Sequence, residues 1–364
     1  MKKILIFSHE FPPFGGGAGI VAYQYCLKFK NKGYEVTLLT REQARFSEKL
    51  NGINIIGVKH IPKLWFLPYK SILKELDLTK FDTIILNDIA SGYIAGKYFD
   101  DEILKKSIPI LHGSEPENIY NNISFWFKII NFPKYYTNML NKCKRIVSVS
   151  KYMKEKFLEK TAFKDEKKIE VVYAGLDEEF LKFQDKEVNC KSIYKHQNKE
   201  IILSVSRIEK NKGFFDMYQI FKKLIKIDKN FIWVIIGDGS YKDELKSLVK
   251  KDNLEKFIIF KGKVDRDELY KYYKCADVFW LLSKYKESFG LVYLEAQAYS
   301  CPAIGYNRYG VKEAIEDNKT GFLVDNSKDC LDIFLSKSYK SINEESIKNF
   351  IKSFQQAIGS IEDD

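Results

Sequence analysis

Two short stretches in the second half of the chain hold residues whose types and spacing suit charge chemistry. The first is Ser204-Val205-Ser206-Arg207-Ile208-Glu209-Lys210-Asn211-Lys212-Gly213, which follows an apolar run and leads into a helical one. Arg207 and Lys212 stand on either side of a loop at a helix start. Two cations converging with helix N–H groups suit a diphosphate, and the planar guanidinium can bind it through two parallel hydrogen bonds. The second stretch is Glu287-Ser288-Phe289-Gly290-Leu291-Val292-Tyr293-Leu294-Glu295, two glutamates with seven residues between them. Ser288 has the chemistry of an N-cap, so the N–H groups of Phe289, Gly290 and Leu291 are expected at a helix start, open to phosphate oxygens. Glu287 then lies just outside the helix. Glu295 shares an otherwise apolar face with Leu291 and Ala298, where a carboxylate is costly unless hydrogen-bonded, by protein donors or by a ribose diol.

The first half offers Phe11-Pro12-Pro13-Phe14-Gly15-Gly16-Gly17-Ala18-Gly19 between the first apolar run and a helix with Ile20, Tyr23 and Leu27 on one face. Glycines there let a ligand approach the backbone, and the helix start can meet a phosphate. The dehydrogenase fingerprint is not met. The third glycine is out of register, and Thr40-Arg41 stand where an acidic residue would end the second strand. His112-Gly113 follows another apolar run, so His112 is placed to hydrogen-bond a sugar hydroxyl or to hold a charge. His9 also follows a strand and can support that site. No G-x-S-x-G elbow, Walker A loop, H-E-x-x-H or cysteine–histidine cluster occurs. Asp265-x-Asp267 reads as a helix start, and Asp363-Asp364 as a terminal tail, so no metal ligand set is expected.

These residues need a scaffold, and short apolar runs alternating with amphipathic segments specify a doubly wound parallel α/β fold. Expected strands are Lys3–Ser8, Glu35–Thr40, Ile53–Val58, Thr83–Asn87, Ile108–His112, Arg145–Val149 and Ile169–Tyr173, then Ile201–Val205, Phe231–Ile236, Phe257–Lys261, Val278–Leu282, Ala303–Tyr306 and Gly321–Val324. The expected organisation is a first domain over 1–180, a polar linker over 181–199 and a second domain over 200–341. A terminal helix over 342–364 has Ile347, Phe350, Ile351 and Phe354 on one face, and can join either domain. Two such sheets imply a ligand cleft at the carboxyl ends of their strands.

A chain of 364 residues exceeds what one core ordinarily supports. Its formal charge of +11 favours anionic partners, and no nucleic-acid-reading motif accompanies the charge. Six scattered cysteines without a C-x-x-C pair predict buried, reduced thiols. The first residues read as a strand rather than a leader, and no stretch reaches the length of a membrane span, so a cytoplasmic protein is expected. The segment from Ile123 to Tyr136, continuing to Lys142, Lys144 and Arg145, mixes aromatics with cations. Peripheral contact with an anionic inner membrane face is therefore an expectation, against Pro133 and a core role for many of the rings.

Taken in order, "PPFGGGAG", "KGYEVTLLT", "HGSE", "RIVSVSKYM", "YAGLDEEF", "SVSRIEKNKGF", "VIIGDGSYKDEL", "GKVDRDELYKYYKCADVF", "ESFGLVYLEAQAYSCPAI" and "NKTGFLV" resemble the family-4 retaining glycosyltransferases over roughly residues 3–325. The resemblance implies a GT-B fold of two Rossmann-like domains facing across a cleft. It implies that Gly16 and Gly17 line the donor diphosphate, and that His112 lies near the donor sugar. Arg207 and Lys212 would clamp the diphosphate, Glu287 would bind the transferred sugar, and Glu295 the ribose. The N–H groups of Phe289, Gly290 and Leu291 would meet the phosphates. The donor implied is a nucleoside-diphosphate sugar, a UDP-sugar being commonest among similar enzymes, with no metal or other cofactor. The acceptor implied is a glycan or lipid-linked hydroxyl in cell-surface polysaccharide or lipopolysaccharide synthesis. Ala174-Gly175 departs from the usual Asn-Gly, and the region after Leu323 matches only loosely. Competing readings are an epimerase of the same fold and a non-catalytic partner subunit.

Overall fold

Near-continuous apolar runs become parallel strands, because helices cover both faces of such a strand and no polar alternation is required. The structure, a computed structural model, describes residues 1–14, 16–43, 46–176, 178–194 and 198–357. Gly15, Asp177, the end of the expected terminal helix and Asp363-Asp364 therefore lie outside the described residues. Contacts divide the chain into two units, Met1–Ala174 and Gly175–Asp364. The polar segment after residue 180 goes with the second unit.

The first unit has strands β1 (Lys3–Ser8), β2 (Glu35–Arg41), β3 (Asn54–Val58), β4 (Thr83–Leu86), β5 (Ser107–Leu111), β6 (Ile146–Ser148) and β7 (Ile169–Val171). They form one sheet in the order β3-β2-β1-β4-β5-β6-β7. The pairs are parallel throughout. The second unit has β8 (Glu200–Val205), β9 (Phe231–Ile236), β10 (Ile258–Gly262), β11 (Val278–Leu281), β12 (Ala303–Tyr306) and β13 (Gly321–Val324). Their order is β10-β9-β8-β11-β12-β13, again all parallel. Both sheets are doubly wound, as expected, and reverse at β1/β4 and at β8/β11. A doubly wound sheet opens a crevice at that reversal, beyond the carboxyl ends of its strands.

In the first unit α1 (Gly17–Asn31), α2 (Leu67–Glu75) and α3 (Ile89–Tyr98) follow β1, β3 and β4. Phe132 and Tyr136 from the aromatic segment are core, and Phe132 stacks on Tyr93 with centroids 4.5 Å apart. Within that segment the preceding helix Phe125–Ile129 turns large apolar side chains to solvent, Phe125 at 79 % and Ile129 at 52 % exposure. The second core is built on Trp280, whose ring lies 5.2 Å from Trp233 and 5.0 Å from Phe334. The terminal helix Glu344–Ala357 buries Ile347, Ile351 and Phe354, and packs on the helix Leu291–Gln297. Among the described residues no helix is long and apolar enough to cross a membrane.

The cysteines require a correction. Cys26, Cys143, Cys301 and Cys330 are free and buried, but Cys190 and Cys275 form a disulfide. Their Cα atoms are 5.2 Å apart although 85 residues separate them in sequence. The pairing arises because the short helix Cys190–Ile193 packs on the helix Arg266–Lys274.

Candidate active site

In the second unit, two loops meet at the β8/β11 reversal. One runs from Ser206 to Gly213 and the other from Leu282 to Gly290. Their contact is backbone to backbone: the N–H groups of Lys284 and Tyr285 both donate to the Asn211 carbonyl at 2.9 Å. Gly213 has φ 78°, and a Cβ there would stand 1.8 Å from the Leu282 carbonyl oxygen. A side chain would push the loops apart. The close approach brings Lys212 Nζ to 2.6 Å from Glu287 Oε1, with side chains only 13 % and 14 % exposed. Ser283 Oγ donates to the same oxygen at 2.8 Å, and Lys212 lies 5.0 Å above the Tyr285 ring. From the other side Gly310 donates its N–H to the Glu287 carbonyl at 3.0 Å, and a Cβ on Gly310 would lie 2.1 Å from Ser288 O. An ammonium and a carboxylate are thus held ready, with little solvent to screen them.

Arg207 is differently placed. Its side chain is 68 % exposed and pairs with Glu209 at 3.2 Å. It follows β8 as expected, but it does not share the Lys212–Glu287 ion pair.

Ser288 is not the helix cap. The helix Leu291–Gln297 takes Gly290 as its N-cap, at φ 99°, so it begins two residues later than a Ser288 cap would place it. Phe289 is buried, and its ring lies 5.4 Å from that of Phe354 on the terminal helix. Burial of that ring holds Phe289 out of the helix, and Gly290 supplies the left-handed turn back into it. The first-turn N–H groups, which lack an acceptor four residues earlier in the helix, are therefore those of Leu291 and Val292.

Glu295 is buried on this helix and has protein partners. Arg266 Nη1 donates to Oε1 at 2.7 Å and Tyr273 Oη to Oε2 at 3.0 Å. Both donors come from the helix Arg266–Lys274, and Arg266 also lies over the Phe180 ring. A carboxylate can accept about four hydrogen bonds, so this pairing leaves acceptor capacity.

In the first unit, polar residues gather around the β1/β4 reversal. Gly16 caps α1 and its N–H donates to Glu10 Oε2 at 3.0 Å. A Cβ on Gly16 or Gly17 would meet nothing within 4 Å, whereas one on Gly19 would touch Phe11 Cα at 3.3 Å. Packing explains Gly19; at Gly16 and Gly17 the space above the backbone is open. Asn87, fully buried after β4, donates from Nδ2 to Ala18 O and to Ser8 Oγ, each at 2.9 Å. The Ala18 carbonyl can only accept, which fixes the amide orientation, so Asn87 Oδ1 faces His112 Nε2 at 3.3 Å. His112 therefore carries its proton on Nε2 and presents Nδ1 as the accepting nitrogen. Burial lowers its pKa to about 4, which leaves a neutral ring at pH 7. Of the two roles expected for His112, accepting a hydroxyl proton fits this state and holding a charge does not.

The His112 backbone is itself clamped. Buried Glu115 accepts from the N–H groups of His112 at 2.7 Å and Gly113 at 2.6 Å, and burial raises its pKa. Lys156, also buried, donates to Gly113 O and pairs with Glu117 at 2.9 Å. Asn87, Glu115, Arg266, Tyr273 and Ser283 were not singled out from sequence. Each meets its partner only through tertiary packing, except Glu115 and Ser283, whose short-range bonds carry no distinctive pattern.

Two doubly wound units, each with polar loops at its topological switch point, define an enzyme of the GT-B glycosyltransferase type. Residues 15–180 match the family described as Glycosyltransferase Family 4, and residues 185–333 match Glycosyl transferases group 1. The chain belongs to the family-4 glycosyltransferases. It is 28% identical over 337 residues to an uncharacterized glycosyltransferase of Methanocaldococcus jannaschii, covering 88% of this chain and 85% of that one. It is 26% identical over 328 residues to N-acetyl-alpha-D-glucosaminyl L-malate synthase of Bacillus anthracis, covering 85% and 81%. In fold it is similar to Anabaena HepE, crystallised with UDP, at a TM-score of 0.77 and 16% identity over 98% of this chain and 96% of that one.

Proposed function

We propose that this glycosyltransferase moves a hexose-type sugar, with retention of configuration, from a UDP-sugar to a hydroxyl of a glycan or lipid-linked acceptor. The pathway expected is cell-surface polysaccharide or lipopolysaccharide synthesis. The observation that carries the reading is the Lys212–Glu287 pair, held nearly buried at the β8/β11 reversal beside the start of the helix Leu291–Gln297. In the reaction the bond from the anomeric carbon to the diphosphate breaks while a bond to the acceptor oxygen forms on the same face. The departing phosphate oxygen takes the acceptor proton. Lys212, Arg207 and the N–H groups near Leu291 stabilise the charge that grows on the diphosphate, and a preorganised cation is the type of group such charge rewards. Glu287 binds hydroxyls of the transferred sugar, and Glu295 uses its spare acceptor capacity on the ribose. Gly16, Gly17 and His112 serve the donor from the first unit, His112 accepting a sugar hydroxyl at Nδ1.

Cationic side chains, Lys212 and Arg207, take the place of a metal in this reading. UDP as the carrier is supported by its presence in the HepE crystal structure. Peripheral attachment at the inner membrane face draws on Phe125 and Ile129 together with exposed Ile61, Leu64 and Leu67. The two segments are joined by Trp126 Nε1 donating to Lys63 O at 2.9 Å.

The deciding experiment is a thermal-unfolding panel of UDP-, GDP- and ADP-sugars in excess EDTA, followed by turnover under the same conditions. A UDP-sugar at about 100 Kd adds roughly 2.7 kcal/mol of stability, and turnover persists. Stabilisation by a GDP- or ADP-sugar alone removes the UDP assignment. Turnover lost in EDTA and restored by Mn²⁺ or Mg²⁺ removes the metal-free mechanism.

A further inference from the structure

Three adjacent strands of the first unit end in basic side chains; His9, expected to support the His112 site, directs Nδ1 to Tyr69, while His112 faces Asn87. His9 follows β1, Arg41 ends β2, and His60 stands two residues beyond β3. The His9 and His60 rings are 5.4 Å apart, and the Trp65 ring is 5.4 Å from His9. Tyr69 on α2 fixes one face of the group, its hydroxyl 2.9 Å from His9 Nδ1. Arg41, half-buried, lies 4.5 Å over the Phe14 ring and forms no ion pair among the described residues. His60 Nδ1 is buried and has no hydrogen-bond partner among the described residues.

Each observation points the same way. A buried imidazole nitrogen without a partner is rare unless a ligand or water completes it. An arginine without a carboxylate, stacked on a ring, presents its guanidinium edge to whatever comes, and that edge matches phosphate and carboxylate geometry. The carboxylate whose charge reaches His9 is Glu10, already engaged by the Gly16 N–H. Arg41 lowers the pKa of both histidines, after desolvation at each and after His60 at His9, so its positive potential reaches both rings. An anion would answer it, and would draw protons onto the imidazoles.

We propose that His9, Arg41 and His60 form an anion subsite on the first unit that takes a phosphate or carboxylate of the sugar acceptor. The inference rests on the transferase reading above and adds the acceptor's chemical class. The anion can belong to a soluble acid or to a lipid headgroup, and the two are separable.

The full chain, saturated with UDP, is titrated calorimetrically with sn-glycerol 3-phosphate and L-malate, and with glycerol as the neutral control. Vesicles of phosphatidylglycerol are compared with vesicles of phosphatidylcholine by co-sedimentation. The expected result is binding of an anionic soluble probe, or of phosphatidylglycerol alone, without binding of the neutral counterpart. Arg41→Gln weakens that binding at least tenfold, about 1.4 kcal/mol, while UDP affinity on the second unit stays within twofold. His60→Asn, a change outside any strand or helix, carries the same test if Arg41→Gln does not fold. Unchanged anion binding in both variants overturns the subsite, as does a wild-type chain that binds UDP but neither class of anion. A wild-type chain that does not bind UDP but binds GDP or ADP removes only the UDP assignment, and the titration is run with that nucleotide. A chain that binds none of the three overturns the transferase reading, and the acceptor assignment goes with it.

Discussion

At the scale of single residues, Lys212 and His112 are placed by different contacts. Lys212 Nζ stands 2.6 Å from Glu287 Oε1, within reach of a diphosphate in the proposed reaction. Removing a preorganised charge stabiliser costs about 10²–10³ in kcat. Lys212→Ala and Arg207→Ala should each show that loss at saturating donor, with circular dichroism unchanged; wild-type turnover in both would refute the clamp. His112 is instead held neutral, its pKa lowered by burial from 6.5 to about 4. The unfolded chain then binds the extra proton between those values, so stability falls as pH drops from 6.5 to 4 and is unaffected above 6.5. The size is on the order of 3 kcal/mol for this shift. Urea unfolding of wild type and His112→Asn over pH 4–7 should show a steeper acid loss in wild type by that margin. Parallel curves would mean that His112 titrates in the fold as it does in the unfolded chain.

At the scale of elements, glycines set how closely loops approach, and two of them make opposite predictions. Gly213 and Gly33 both have positive φ, 78° and 79°, but a Cβ on Gly33 meets nothing within 4 Å while one on Gly213 strikes backbone. Gly33→Ala should cost only the conformational term, about 1–2 kcal/mol, and leave kcat unchanged. Gly213→Ala should cost a further 1–3 kcal/mol and lower kcat, because Lys212 and Glu287 separate as the loops part. Denaturant midpoints and kcat for the pair decide it. Equal behaviour would show that the loop contact is not what positions the pair.

At the scale of the molecule, the charge of +11 has a surface to act from. Phe125, Ile129 and the exposed residues near Leu64 are flanked in sequence by the exposed Lys59, Lys63, Lys70 and Lys128. Each basic residue at an anionic surface contributes about 1 kcal/mol, screened over about 8–10 Å at physiological salt. Co-sedimentation with anionic vesicles at low salt, weakened by added salt and by Phe125→Asp, is the expected outcome. Absence of binding on anionic vesicles at low salt would make the basic excess compositional.

Sequence alone determined the alternation of strands and helices, since parallel strands buried on both faces must be apolar runs. Every strand from Lys3–Ser8 to Gly321–Val324 was placed to within two residues at each end. It also set Lys212 and Glu287 on the loops that follow β8 and β11, whereas their approach to 2.6 Å comes from the backbone contact between those loops. Tertiary structure decided the rest, where the deciding contact is long-range. Phe289 left the helix for the Phe354 ring; Glu295 met Arg266 and Tyr273; Cys190 found Cys275. The proton on His112 Nε2 follows from a carbonyl at Ala18, 94 positions earlier in the chain, acting through Asn87. Local propensity and periodicity act within a few residues, so they specify elements, but a proton's position or a carboxylate's partner is set by groups that only folding brings together.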